Sequence, residues 1–161
     1  IYTLSLHDAL PISGRHPHGP RLPAAPCKVY TQPLGKIRER TMARILIVDD
    51  SPSQLMGIQR IVEKLGHQTL TAEDGAAGVE VAKAELPDLI LMDVVMPNLN
   101  GFQATRSLTR EPTTKHIPVI LVTTKDQDTD RVWGMRQGAK AYITKPFSES
   151  ELSELIVQYL A

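Results

Sequence analysis

Asp49-Asp50, Asp93, Thr123 and Lys145 share a position in the chain: each follows or closes a short apolar run. Asp49-Asp50 follow Ile45-Leu46-Ile47-Val48, and Asp93 follows Leu89-Ile90-Leu91-Met92. Thr123 closes a run that begins at Ile117, and Lys145 follows Ala141 to Thr144. The set contains acids for a cation, a carboxylate nucleophile, a hydroxyl and an ammonium. Two carboxylates about 4 Å apart repel by roughly 4 kcal/mol at an intermediate dielectric, so converging acids call for a cation. Ligands made only of oxygen suit magnesium, with waters completing its octahedron. A phosphoryl group arriving on a carboxylate needs this combination, because its spreading charge must be neutralised and its oxygens oriented. Taken singly the residues say less. A lone strand-end Asp is as readily the N-cap of the next turn, and a lone Thr or Lys is by default a polar strand end or a surface charge.

The runs themselves say what must position these side chains. Leu89 to Met92 has no polar alternation and is bounded by Pro87 and Pro97. Such a run reads as a strand buried on both faces, as in parallel α/β sheets. Five strands are expected, at 43–48, 68–72, 89–93, 117–122 and 141–144. The second alternates and so belongs at an edge. Helical patterns lie between them. Ser51-Pro52-Ser53-Gln54 reads as a capping box opening a helix with Leu55, Ile58, Ile61, Val62 and Leu65 on one stripe, closed by Gly66. The next follows Asp74 with Val79, Ala82 and Leu86 on its inner face, and a weakly patterned one carries Phe102 and Leu108. The fourth runs from Asp128 to Gln137 with Val132 and Met135 inward, closed by Gly138. The last opens on a second capping box, Ser148 and Glu151, with Leu152, Leu155, Ile156, Tyr159 and Leu160 inward. Trp133 and Met96 read as packing residues. Right-handed crossovers then give a doubly wound α/β fold with helices on both faces of a parallel sheet. Ligands of such sheets sit at the carboxyl ends of the strands, where these five residues fall.

The 161 residues carry 18 basic and 18 acidic side chains, unevenly spread. Residues 42–161 hold 12 basic and 16 acidic ones, net −4. That balance argues against nucleic-acid binding, which needs clustered positive charge. The single Cys27 cannot form an internal disulfide, which suits a reducing compartment. No apolar run is long enough to span a bilayer. Residues 1–41 have no helical or strand periodicity and hold six of the twelve prolines. They are expected to be a disordered extension before a domain at 42–161. They are also expected not to belong to the functional unit. Thr3 to Ile12 can be back-translated as a common sequencing adapter read in frame, and the remainder as upstream DNA ending in a ribosome-binding-like purine run before Met42.

Ile45 to Asp50, Leu89 to Asp93 with Met96-Pro97 and Gly101, Thr123, and Tyr142 to Pro146 resemble the response-regulator receiver domain, of the CheY kind. The resemblance covers residues 43–160. Thr123 to Ala139 is also similar to the single-domain regulators of type IV pilus twitching motility, of the PilH kind. It implies a five-stranded sheet in the order 2-1-3-4-5 and a role as the phosphoacceptor of a two-component phosphorelay. Asp93 would take a phosphoryl group from a histidine kinase. Asp50, Asp93 and the backbone carbonyl of Val95 would bind Mg2+, with Asp49 acting through water. Lys145 would pair with the Asp93 carboxylate and then the phosphate, Thr123 would swing towards it, and Tyr142 would change rotamer with it. The Lys145-Pro146 bond would be cis. Output would be by protein contact through the fourth helix, fifth strand and last helix, without DNA or membrane, in the cytoplasm, and the only catalysis would be of its own phosphorylation and dephosphorylation.

Other classes fit less well. A flavodoxin-type domain would need a phosphate cradle where this chain opens its first loop with two acids. An aspartate-nucleophile phosphatase would want an acid two residues after the nucleophile, where Val95 stands. A receiver that takes no phosphate and serves only as an interaction module is opposed by the complete set of acids, Thr and Lys.

Overall fold

A computed structural model describes residues 42–161; the segment 1–41, with the expectations placed on it, lies outside the described residues. In chain order the elements are β1 (Arg44–Val48), α1 (Pro52–Lys64), β2 (Gln68–Ala72), α2 (Gly75–Glu85), β3 (Leu89–Met92), α3 (Gly101–Arg110), β4 (Val119–Thr123), α4 (Asp128–Arg136), β5 (Ala141–Thr144) and α5 (Glu149–Leu160). All strand pairs are parallel and the sheet order is β2-β1-β3-β4-β5, the expected one.

The side-chain period of two splits each apolar run between the two faces of the sheet. Ile45, Ile47, Leu89, Leu91, Ile120 and Val122 pack against Leu55, Ile58 and Val62 of α1 and Leu152 and Ile156 of α5. Leu46, Val48, Ile90, Met92, Val119 and Leu121 form the other core, with Val79 and Ala82 of α2 and Ala104 and Leu108 of α3. This is why the runs show no polar alternation: neither face meets water.

Local signals set the element ends, with departures from expectation at Ser51, at Leu86 and in α4. Ser51 caps α1 by position only. Its N–H donates to Asp49 Oδ1 at 2.8 Å and its hydroxyl faces Ser53 Oγ at 3.1 Å, so no capping box forms with Gln54. Leu86 does not face the core. It terminates α2 in a left-handed conformation (φ 47°), which turns its side chain to solvent. In α4, Val132 and Met135 are exposed, and so is Trp133. The only buried position of α4 is Gly134, where a Cβ would meet Leu121 Cδ1 at 2.5 Å and Phe102 Cε1 at 3.2 Å. Close approach through a bare backbone turns the apolar residues on either side outward. By contrast, the Ser148–Glu151 box closes as expected, and α3 carries one that the sequence pattern hid, between Asn100 and Gln103.

The packing of α4 can be checked by denaturant unfolding. Leu121→Ala is expected to cost about 2–5 kcal/mol as a buried cavity mutation. Val132→Ala should stay within about 0.5 kcal/mol, as surface substitutions do. A reversed ranking would show that Val132 is a core residue.

Candidate functional site

The ladder sets the site. Val48 pairs with Met92, so the residues that follow, Asp49 and Asp93, leave adjacent strands side by side. Asp93 N–H still donates to Val48 O at 2.8 Å, and Lys145 N–H to Thr123 O at 2.8 Å. The expected residues of four strand ends therefore meet at one edge of the sheet. Carboxylate oxygens of Asp49, Asp50 and Asp93 all lie within 4.8 Å of one another. Asp49 and Asp93 are buried and Asp50 is exposed.

The two buried carboxylates are held alike. Asp49 Oδ1 accepts from Ser51 N–H at 2.8 Å, and Asp93 Oδ1 accepts from Val94 N–H at 2.7 Å and Val95 N–H at 3.4 Å. Their Oδ2 atoms turn to one ammonium. Lys145 Nζ is 2.7 Å from Asp49 and 3.7 Å from Asp93. The expected Lys145 partner was Asp93; the amine serves both acids and sits closer to Asp49. Asp93 already has two backbone N–H groups facing its charge. Burial pushes the Asp93 carboxyl above the usual carboxylate range; Lys145 opposes that shift, Asp49 adds to it, and the Val94 and Val95 amides oppose it.

Thr123 is fully buried, and its Oγ1 accepts from Lys125 N–H at 3.3 Å. Tyr142 lies under α4, and its hydroxyl donates to Lys125 O at 2.8 Å. The backbone of Lys125 thus bridges the two switch candidates, its N–H meeting Thr123 and its carbonyl meeting Tyr142. Val95 stands exposed at the rim of the site. The Lys145–Pro146 bond is cis. Beside Lys145, a cleft of about 350 Å³ is lined by Gln54, Thr124, Pro146 and Phe147.

Sequence reasoning gave no structural part to three residues here. Gly101 N–H donates to Val94 O at 3.0 Å, and a Cβ at Gly101 would run into the carbonyl of Asp93 and stand 2.8 Å from Val94 Cα. The start of α3 is therefore seated on the backbone that carries Asp93. Thr105, fully buried, donates to Gly101 O at 2.7 Å and fastens that seat. Arg131 lies over the Tyr142 ring. No periodicity marks such contacts; only the Gly at a loop-to-helix junction hints at close approach.

Three acids whose oxygens converge, with one acid open to solvent, fit a hard cation that keeps several waters. The ammonium and the buried hydroxyl beside them are donors for the oxygens of a transferred group.

Residues 45–157 match the family described as the response regulator receiver domain. Protein PilH of Pseudomonas aeruginosa is 59% identical over 120 residues, covering 74% of this chain and 99% of that protein. Other relatives are longer, and the chain spans 24% of one and 48% of another. Among solved structures, chemotaxis protein CheY4 of Vibrio cholerae superposes with a TM-score of 0.70 at 28% identity, covering 73% of this chain and 98% of that one. The receiver domain of the sensor histidine kinase PA1611 of P. aeruginosa gives 0.69 at 29% identity, over 74% of this chain and 98% of that one. That domain has a magnesium ion coordinated in its active-site cleft.

Two stability measurements test this geometry. Because burial raises the Asp93 pKa, ionising Asp93 costs more in the folded than in the unfolded chain. The stability lost this way appears as pH rises through the ordinary carboxylate value towards the raised one. Asp93→Asn without divalent cation should therefore raise the thermal midpoint at pH 7, and the gain should vanish at pH below the ordinary value. Gly101→Ala should cost about 1–3 kcal/mol as an overpacking change. Gly57→Ala, in α1 with open space around it, should instead stabilise by about 0.5–1 kcal/mol.

Proposed function

The chain belongs to the response regulator receiver family, and from that membership we propose that Asp93 accepts a phosphoryl group from a histidine kinase. The observation that carries this reading is the convergence of Asp49, Asp50 and Asp93 around the Lys145 ammonium. An Asp93 oxygen attacks phosphorus, an O–P bond forms, and the P–N bond to the donor imidazole breaks. The raised basicity of the Asp93 carboxylate favours attack, while Lys145 and the Val94 amide keep a supply of the ionised form. Lys145 then neutralises the incoming oxygens and the Thr123 hydroxyl orients one of them.

Asp50, Asp93 and the Val95 carbonyl would hold Mg2+ directly and Asp49 through water; when bound, the ion supplies further charge neutralisation. The protein then catalyses only its own phosphorylation and dephosphorylation. Output is assigned to the face made by α4, β5 and α5. There a groove of about 660 Å³ is lined by Val132, Met135 and Leu155 together with Arg131, Arg136 and Lys140. No helix among the described residues is long and apolar enough to cross a membrane, and they form one receiver domain. A histidine-kinase donor places the reaction in the cytoplasm. The likeness to PilH supports a place in pilus-based motility signalling.

Incubation with acetyl phosphate and Mg2+, read by intact mass, is expected to add one phosphoryl group. Asp93→Asn should abolish the addition, and Lys145→Ala should slow it about 100-fold, the usual cost of losing one preorganised stabilising group. No addition to the parent protein would leave an interaction module as the function; full addition to Asp93→Asn would move the acceptor elsewhere.

A further inference from the structure

Tyr142 is expected to turn with the phosphorylation state of Asp93. The contacts that hold it come from elsewhere. Its hydroxyl donates to Lys125 O at 2.8 Å. The Arg131 guanidinium lies 5.9 Å from the ring centroid, within cation–π range. The same guanidinium donates to the Tyr142 carbonyl oxygen at 3.4 Å. One turn-face away, a Cβ on Gly134 would stand 3.4 Å from Tyr142 Cδ2, so the α4 backbone closes on the ring. The result is a tyrosine only 6% exposed, beneath a helix that buries almost nothing else.

Arg131 is free to serve this purpose. Its neighbour Asp130 pairs with Lys125 at 3.5 Å, and no carboxylate lies in an ion pair with Arg131 among the described residues. The planar guanidinium suits stacking on a ring while donating to a carbonyl, which an ammonium cannot do in the same way. Burial, with the charges of Asp130, Asp126 and Asp93 adding to it and Arg131 opposing it, lifts the Tyr142 hydroxyl to about 12. The phenol therefore stays a neutral donor to Lys125 O at any ordinary pH.

We propose that Arg131 is a positioning residue that latches Tyr142 in its buried rotamer through contacts that do not include Asp93, so that the groove between α4 and α5 is preset before any phosphoryl transfer. Arg131 touches neither the acids nor the transferred group. It acts through Tyr142 and through it on Lys125, whose N–H meets Thr123. This inference rests on the reading of Tyr142 as a switch, and phosphorylation then only has to strengthen a rotamer already favoured.

The test is 19F NMR on the full chain labelled with fluorotyrosine, the Tyr142 signal being assigned by its loss in Tyr142→Phe. Arg131→Ala should move the Tyr142 signal towards the exposed range, the outward population rising roughly three- to five-fold as expected for loss of a partly exposed cation–π contact. Arg131→Lys should restore part of the shift. Unfolding of a variant would show in the Tyr159 signal as well, and the Lys variant guards against that outcome. An unmoved Tyr142 signal in Arg131→Ala, or equal shifts in the Ala and Lys variants, would overturn the latch. Failure of acetyl phosphate to label Asp93 would overturn the phosphoacceptor reading instead, and the NMR arm would still read out.

Discussion

Two buried carboxylates share one ammonium, and the rest of the structure has to make that arrangement tolerable. Removing Asp49 and Asp93 from water is costly, and their mutual repulsion adds to the cost. Lys145 offsets both, but one positive charge cannot balance two negative ones and the exposed Asp50 beside them. Backbone amides of Ser51, Val94 and Val95 take up part of the excess. What remains is a site with a standing demand for positive charge, at a place where a cation can enter from solvent.

The topology is what allows this. Parallel strands put all their carboxyl ends on one edge, and the order β2-β1-β3-β4-β5 sets the two acid-bearing strands next to each other. Helices leave β1 and β3 for opposite faces, which opens a crevice above the strand ends. Lys145 must reach across β4 to the acids, 96 residues away in sequence from Asp49. A long flexible stem with a point charge at its tip suits that reach better than a short or planar cation. The glycine at 101 lets α3 sit directly on the Asp93 peptide, so the loop that presents the carboxylate is braced from behind.

The inner strands and their ends were legible because burial on both faces leaves unbroken apolar runs, and the polar residue that ends each run marks the edge of the sheet; β2 was legible by its alternation instead. The helices packed by large side chains, α1 and α5, were legible for the same reason. The fourth helix was not. Its apolar residues Val132, Trp133 and Met135 imply a buried stripe, yet the contact is made by Gly134, which has no side chain to announce it. Leu86 misled in a similar way, because a left-handed helix end redirects a residue that the helical period would bury. In the site, residue types foretold which groups would meet, but not how an ammonium divides itself between two acids. Nor could they show the bridging role of the Lys125 backbone, since backbone groups carry no sequence signature.

The exposure of Trp133 has a spectroscopic consequence. It is the chain's single tryptophan, and about half of it meets solvent. Half of the indole is thus already wetted while the protein is folded, so unfolding by heat or urea changes its surroundings less than it would those of a buried ring. The same ring sits on the helix that borders the groove. A molecule that covers Trp133 itself would dry the indole and shift its emission to the blue. The chain's single indole therefore reports on what covers α4 more than on the state of the core.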